Sequence, residues 1–493
     1  MNTIRASDSE PSARARVAAG SVVQILARIG ALLCGLALMG YLTRNLGLGD
    51  YGRYALAIVL VNWAGTSIAL ASGGALIRLV AGHAEGEKFA VAMLQLVGLV
   101  GVAAGTLVFV GAEWIAGAMN STGLAPLLQI LAWDLPIGAL AGLHIGILTA
   151  QGKFLKSAFA VLAGWLFQLM AAVVLVGGGM AVQGAAWAVV ASGGAQLLTA
   201  RWMSGVPMFG SERAAFSELW KESRLIGAAQ VALRICQTMD LPAVKYFLGL
   251  PAAAGLYAGA QNIGFAGLML FLPVNPIVQQ SLGKSRLREN HAEAELVART
   301  FLRVALIYGG VLAALSVFSD GIAAFLLGAK FQESGPVLAI LLLAVALRIQ
   351  ALAGRTLLAA AGEKASILWP LLGLIVAGLA AYALVIPKAG IIGAAAVTLL
   401  LSLATALLSV RDGLRLLEVR YPWPTFCRVL LAMAITAGAA LWIRTLGFHV
   451  LIELSLATAL YGILLILLRE IRPAQRHLGL VLERLSFKAK SKP

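Results

Sequence analysis

Charge is scarce in this chain. Only 12% of its 493 residues are Asp, Glu, Lys or Arg, and just 22 of them are acidic. Histidine is rarer still, with five copies. That leaves too little polar surface to cover a soluble globule, and it starves any loop of acid–base groups. Three cysteines, Cys34, Cys236 and Cys427, all fall in or beside apolar runs. They predict neither a disulfide framework nor a thiolate metal site. No Gly-rich nucleotide-binding loop is present, so direct use of ATP is not expected, and no cofactor is predicted. No loop is long enough to hold a separate folded domain.

What fills the chain is hydrocarbon. Apolar residues make up 60% of it, and the mean hydropathy is +0.90. They come in runs of about 20, the length of a helix that crosses about 30 Å of lipid. Backbone hydrogen bonds must close inside each such run, so the runs are predicted helices; short alternating barrel strands are not visible. The sequence predicts about fourteen spans, at 21–42, 54–76, 89–112, 126–149, 157–178, 184–203, 225–248, 255–279, 300–319, 335–358, 366–386, 390–410, 426–446 and 448–468. Pro136, Pro242, Pro273 and Pro276 fall inside spans and are expected to kink them.

The net charge of +16 suggests nucleic acid at first sight. The placement of the basic residues argues otherwise. With the N-terminus in the cytoplasm, about 29 of the 38 basic residues fall in cytoplasmic segments and about five outside. Lys284, Arg286, Arg288 and Arg299 crowd one predicted cytoplasmic loop, and seven Arg and Lys between Arg469 and Lys492 crowd the tail. The first apolar run is too long for a signal-peptide core and reads as a retained helix. A multi-pass cytoplasmic-membrane protein with both ends inside is expected, with membrane lipids as partners and no nucleic acid.

Tyr41 to Ala57, YLTRNLGLGDYGRYALA, turns the chain between the first two runs. It has an echo. Leu46-Gly47-Leu48 followed by Gly52-Arg53-Tyr54-Ala55 compares with Leu248-Gly249-Leu250 followed by Gly255-Leu256-Tyr257-Ala258, about 203 residues on. Leu148 to Lys153 likewise resembles Leu358 to Lys364, and Gly184-Ala185-Ala186 resembles Gly393-Ala394-Ala395, about 209 residues on. Three matches in order at nearly one offset predict a parallel repeat of six spans. The expected organisation is a cytoplasmic segment 1–20, an N-lobe 21–204, a linker 205–224, a C-lobe 225–410, a cytoplasmic loop 411–425, a final helix pair 426–468 and a basic tail 469–493. The Tyr41–Ala57 stretch reads as a structural label of this fold.

TRNLGLGDYGRYALA, its copy LGLPAAAGLYAGAQNIG, LLAAAGEKASIL and IPKAGIIGAAAVTLL together resemble the polysaccharide-export flippases. These are the O-antigen and lipid-linked oligosaccharide translocases of the multidrug/oligosaccharidyl-lipid/polysaccharide exporter superfamily. The resemblance covers about residues 20–410 and extends more loosely to 468. It implies an all-α membrane fold, two six-helix lobes in a MATE-like V with two further helices. It also implies an activity: moving a polyprenyl-pyrophosphate-linked glycan from the inner to the outer leaflet, beside other polysaccharide-assembly membrane proteins.

Ionisable residues inside spans are costly and mark candidate sites. They are Arg28, Asp134, His144, Arg234, Asp240, Lys245 and Arg348. For an anionic head group, Arg28, Arg234 and Arg348 are the candidate partners, because a guanidinium fork matches phosphate oxygens. Gln24, Gln168, Gln261 and Asn262 are polar candidates for the sugars. Asp134, His144 and Asp240 are candidates for ion coupling. Each has a plainer reading: Arg28 snorkels, Arg234 pairs with Asp240, Arg348 neutralises Asp134, and Lys245 reaches the outer interface.

Three rival functions follow from the same spans. A MATE-like ion-coupled antiporter usually takes cations and needs a carboxylate-lined cavity, whereas the deep charges here are mostly basic. A carrier of the other common six-plus-six fold typically has a longer central cytoplasmic loop. A polymerase or ligase of the same pathway needs a sizeable outer loop with acid and base groups, which this chain lacks.

Overall fold

The computed structural model describes the backbone of residues 10–82, 86–208, 216–272, 274–287, 290–362 and 368–470, and side chains for most of them outside 10–25, 66–89 and 216–226. The described residues form helices and no strand. In chain order these are α1 (Glu10–Asn45), α2 (Leu48–Gly82), α3 (Gly86–Ala118), α4 (Leu124–Ala132), α5 (Asp134–Ala150), α6 (Phe154–Leu175), α7 (Ala181–Ser204), α8 (Phe216–Thr238) and α9 (Asp240–Leu248). They continue as α10 (Pro251–Phe271), α11 (Val274–Leu287), α12 (His291–Leu315), α13 (Ser319–Leu327), α14 (Gly335–Ala360), α15 (Leu368–Leu417), α16 (Trp423–Thr445) and α17 (Val450–Leu467).

Nine stretches among the described residues are long and apolar enough to cross a membrane. Exposed tryptophans Trp114, Trp202, Trp369, Trp423 and Trp442 stand near helix ends, where amphipathic rings meet lipid head groups. The expected all-helical, multi-pass membrane architecture is therefore the one observed.

Two expected spans are broken ahead of their prolines. The span at 126–149 is split into α4 and α5 at Trp133, three residues before Pro136. The span at 225–248 is split into α8 and α9 at Met239, three residues before Pro242. A proline has no N–H for the carbonyl one turn back, and its ring crowds that carbonyl, so the helix ends there. Pro276 lies in the first turn of α11, where proline is tolerated, and leaves that helix whole. Pro273 lies outside the described residues.

Two other stretches are too long for one crossing. Phe154–Ser204 and Leu368–Leu417 hold 51 and 50 residues, about 75 Å if straight. The backbone of the first turns at Gly179 (φ 94°) and Ala181 (φ 44°, ψ −131°), so that α6 packs along α7. The second breaks at Gly390 (φ 59°, ψ −145°). Ala181 and Gly390 share one unusual conformation and stand 209 residues apart, the offset of the Gly184 and Gly393 echoes. The repeat legible in the sequence is thus also a repeat of backbone geometry.

The chain forms two compact units. The first comprises Met1–Gly259, Leu326–Gly328 and Ile367–Ile391. Leu56, Val61, Leu128, Leu131 and Ala186 form one of its buried clusters, joining α2, α4 and α7. Leu371, from the first half of α15, packs with Ala232 and Cys236 of α8. Trp63 of α2 donates from its indole to Thr238 Oγ1 at 2.8 Å.

The two copies of the Tyr41–Ala57 turn meet inside this unit. A Cβ on Gly52 would collide with the Pro251 carbonyl and stand 2.7 Å from Gly255 N. A Cβ on Gly255 would collide with the Leu48 carbonyl. Pro251 lies as far from Leu48 along the chain as Gly255 does from Gly52, so the contact is reciprocal. Such backbone-on-backbone approach through small residues is how helices gain contact where lipid offers no hydrophobic drive.

The second unit comprises Ala260–Phe325, Ala329–Ser366 and Ile392–Pro493. Its core joins α10, α12 and α14 through Leu268, Phe301, Leu302, Ile349 and Leu357. The final pair, α16 and α17, docks on α12 through Leu306, Val429, Ala432, Tyr461 and Leu465. Tyr461 donates to the Ile307 carbonyl at 3.1 Å. Arg444 holds Asp320 at 2.6 Å, and Glu470 takes Arg428 at 2.6 Å and Thr425 at 3.0 Å.

The shared turn conformation is testable. A non-glycine residue there carries about 1–3 kcal/mol of backbone strain. Ala181→Gly is expected to raise the thermal unfolding midpoint in detergent, and Gly390→Ala to lower it. Nothing lies within 4 Å of a Cβ at Gly390, so the loss would be conformational, not steric.

Candidate functional site

The basic candidates differ in surroundings. Arg28 is exposed on α1. Arg234 is half-buried on α8, and its backbone carbonyl accepts the Thr238 hydroxyl at 2.7 Å. Arg348, on α14 of the second unit, is 7% exposed. Its Nε donates to Ser402 Oγ at 3.2 Å, and its guanidinium carbon lies 5.7 Å from the centre of the Phe265 ring. Ser402 donates its own proton to the Thr398 carbonyl at 2.7 Å, which leaves its oxygen to accept from the arginine. The guanidinium is therefore oriented by a hydrogen bond on α15 and a ring face on α10.

Of the polar candidates, Gln261 is buried and Asn262 exposed, both on α10. The side chain of Gln24 lies outside the described residues. Gln168 of α6 lies beside Tyr54 of α2, which is also an electrostatic neighbour of Asp134.

The three ion-coupling candidates divide sharply. His144 is fully buried, with Nδ1 2.9 Å from Ser204 Oγ. Ser204 donates to the Arg201 carbonyl at 3.0 Å, so Nδ1 carries the proton and Nε2 is left without a hydrogen-bond partner among the described residues. Asp240 is 1% exposed; Tyr257 Oη donates to its Oδ2 and the Leu241 N–H to its Oδ1, both at 3.0 Å. That pairing is what a structural buried carboxylate needs. Asp134 is half-buried in the first turn of α5, and no described residue hydrogen-bonds or ion-pairs with its carboxylate. The carboxylate lies over Gly138 and against Gly193 of α7, where a Cβ would strike its Oδ1.

Lys245 is also buried, at 1% exposure. It donates to the Asn120 carbonyl at 3.0 Å and the Gly249 carbonyl at 2.9 Å. Asn120 follows the end of α3, and Gly249 caps α9, so the ammonium sits where two helices present their negative ends.

Sequence reasoning passed over Ser402 and Gly193, which touch Arg348 and Asp134. The signal was available: they stand 209 residues apart, the repeat offset. Tyr54 and Tyr257 were in view as an echo, but only the structure bonds Tyr257 to Asp240 and sets Tyr54 near Asp134.

The family described as polysaccharide biosynthesis protein matches residues 41–336. No curated protein matches the chain in sequence. Among solved structures, the lipid II flippase MurJ in an inward closed conformation superposes with a TM-score of 0.73 at 15% identity, over 92% of this chain and 99% of that one. An inward-facing multidrug resistance MATE transporter of the MOP superfamily gives 0.67 at 15% identity, over 81% and 98%. A MOP superfamily transporter from Pyrococcus furiosus, described as having a binding pocket of reverse polarity, gives 0.65 at 16% identity, over 83% and 97%. The chain shares their fold.

The equivalent tyrosines offer a direct check. Tyr257→Phe strips a donor from a buried carboxylate and is expected to cost about 1–3 kcal/mol of stability. Tyr54→Phe, at a half-buried site, is expected to cost less than about 1 kcal/mol. Thermal melts of the two variants in the same detergent would rank them.

Proposed function

The chain belongs to the polysaccharide biosynthesis protein family, and on that premise we propose that it is a flippase for a polyprenyl-pyrophosphate-linked oligosaccharide. One observation carries the reading beyond the family: Arg348, a cation buried within an apolar helix and fixed in orientation by Ser402 and Phe265. A guanidinium so oriented is a planar donor of the kind that matches phosphate oxygens. A cation antiporter has no evident use for it. Arg28 and Arg234 of the first unit are further cationic candidates, and Gln261 and Asn262 of the second are polar candidates.

The mechanism is alternating access, with no covalent chemistry. The head group enters from the cytoplasmic leaflet, the lobes 21–204 and 225–410 rearrange, and the glycan leaves on the outer side of the inner membrane. The polyprenyl tail stays in lipid throughout. The basic loops and tail keep both chain ends in the cytoplasm.

Reconstitution tests this. Liposomes carry a fluorescent polyprenyl-pyrophosphate oligosaccharide in both leaflets, and an external quencher reports its exchange. Wild type is expected to equilibrate the label. Arg348→Ala is expected to slow it at least tenfold, about 1.4 kcal/mol, with Arg348→Lys intermediate because an ammonium lacks the planar fork. Exchange of a small cation against a proton gradient, with no movement of the lipid, would sink the reading.

A further inference from the structure

Opposite charges stand against equivalent positions, 193 and 402, of the two halves of the repeat. In the second unit, Arg348 reaches Ser402. In the first, the residue equivalent to Ser402 is Gly193, and the side chain against it is Asp134. The glycine leaves room for a carboxylate that a side chain at 193 would displace. This carboxylate has no hydrogen-bonding or ion-pairing partner in the described chain, although it stands within an apolar run. Tyr54 is its electrostatic neighbour, and Gln168 stands beside Tyr54.

We propose that Asp134, Tyr54 and Gln168 form a sugar-hydroxyl subsite, resting on the flippase reading above. A free carboxylate is acceptor-only, with about four lone-pair sites, and can take two neighbouring hydroxyls at once. Tyrosine and glutamine each donate and accept, so the trio matches a polyol, whose hydroxyls do both. The division of labour follows from charge: phosphate oxygens need donors, which Arg348 supplies, and sugar hydroxyls need strong acceptors, which Asp134 supplies.

Two other uses of the carboxylate fit less well. Asp240 shows a carboxylate held structurally, buried and bonded by Tyr257 and a backbone N–H. A hard metal cation takes about six or more oxygen ligands, commonly from several carboxylates. No group of three or more His, Cys, Asp or Glu suited to a metal occurs among the described residues.

The test compares two probes on the full-length protein in lipid nanodiscs: bare polyprenyl pyrophosphate, and the same lipid bearing N-acetylglucosamine. Wild type is expected to prefer the sugar-bearing lipid. Asp134→Ala and Gly193→Ala are each expected to reduce that preference about tenfold, with Asp134→Asn, which keeps one acceptor, in between. Arg348→Ala should weaken both lipids alike and keep the preference. Equal loss for both lipids in the Asp134 variants, or a loss that appears only as sodium or pH is varied, overturns the subsite in favour of ion coupling. A wild type that binds both lipids equally overturns the subsite and leaves the flippase reading intact. A wild type that binds neither overturns both.

Discussion

Two backbones touch where Gly52 meets Gly255, and much of the first unit is arranged around that contact. Neither position has room for a methyl group. In a membrane, helices gain nothing from hiding apolar side chains from one another, since lipid is as apolar as leucine. Close approach is the gain that remains, and small residues provide it. The same chemistry explains why the buried interior is so rich in alanine, with Leu and Val filling between. Around the crossing, polar ties are few and directional: Trp63 to Thr238, Lys245 to two carbonyls, Tyr257 to Asp240.

Those ties show how the protein manages ionisable groups in hydrocarbon. Asp240 is matched by donors. Lys245 is matched by helix ends instead of by a counter-ion. Arg348 is held by a hydroxyl and a ring. Asp134 has no hydrogen-bonding or ion-pairing partner among the described residues. Its carboxylate is packed against Gly193, in the space that a Cβ there would occupy.

Much of the architecture was legible in the residues because lipid imposes one rule, that a crossing segment closes its own hydrogen bonds. Run length and proline position then locate helices and their breaks, as at Trp133 and Met239. The repeat was legible because glycine leaves a readable mark wherever backbone geometry demands it. The conformation shared by Ala181 and Gly390 was only half visible, since an alanine stands in one copy. Site chemistry was harder to read. Sequence puts Asp134, His144 and Asp240 in one class, intramembrane titratable groups. What separates them is who stands opposite: Ser204, Tyr257, or a glycine. Those partners lie on other helices, 60 residues from His144, 17 from Asp240 and, for Asp134, over a glycine on α7.

Helix α15 has a consequence for how the protein is made. Its residues up to Ile391 belong to the first unit, and those from Ile392 to the second. Leu371 packs against Ala232 and Cys236, which leave the ribosome well over a hundred residues earlier. The first unit therefore cannot finish assembling when its N-terminal helices have been inserted. It waits in the bilayer, one face open to lipid, until synthesis is about four-fifths complete. Truncation anywhere before Ile391 would leave both units incomplete at once.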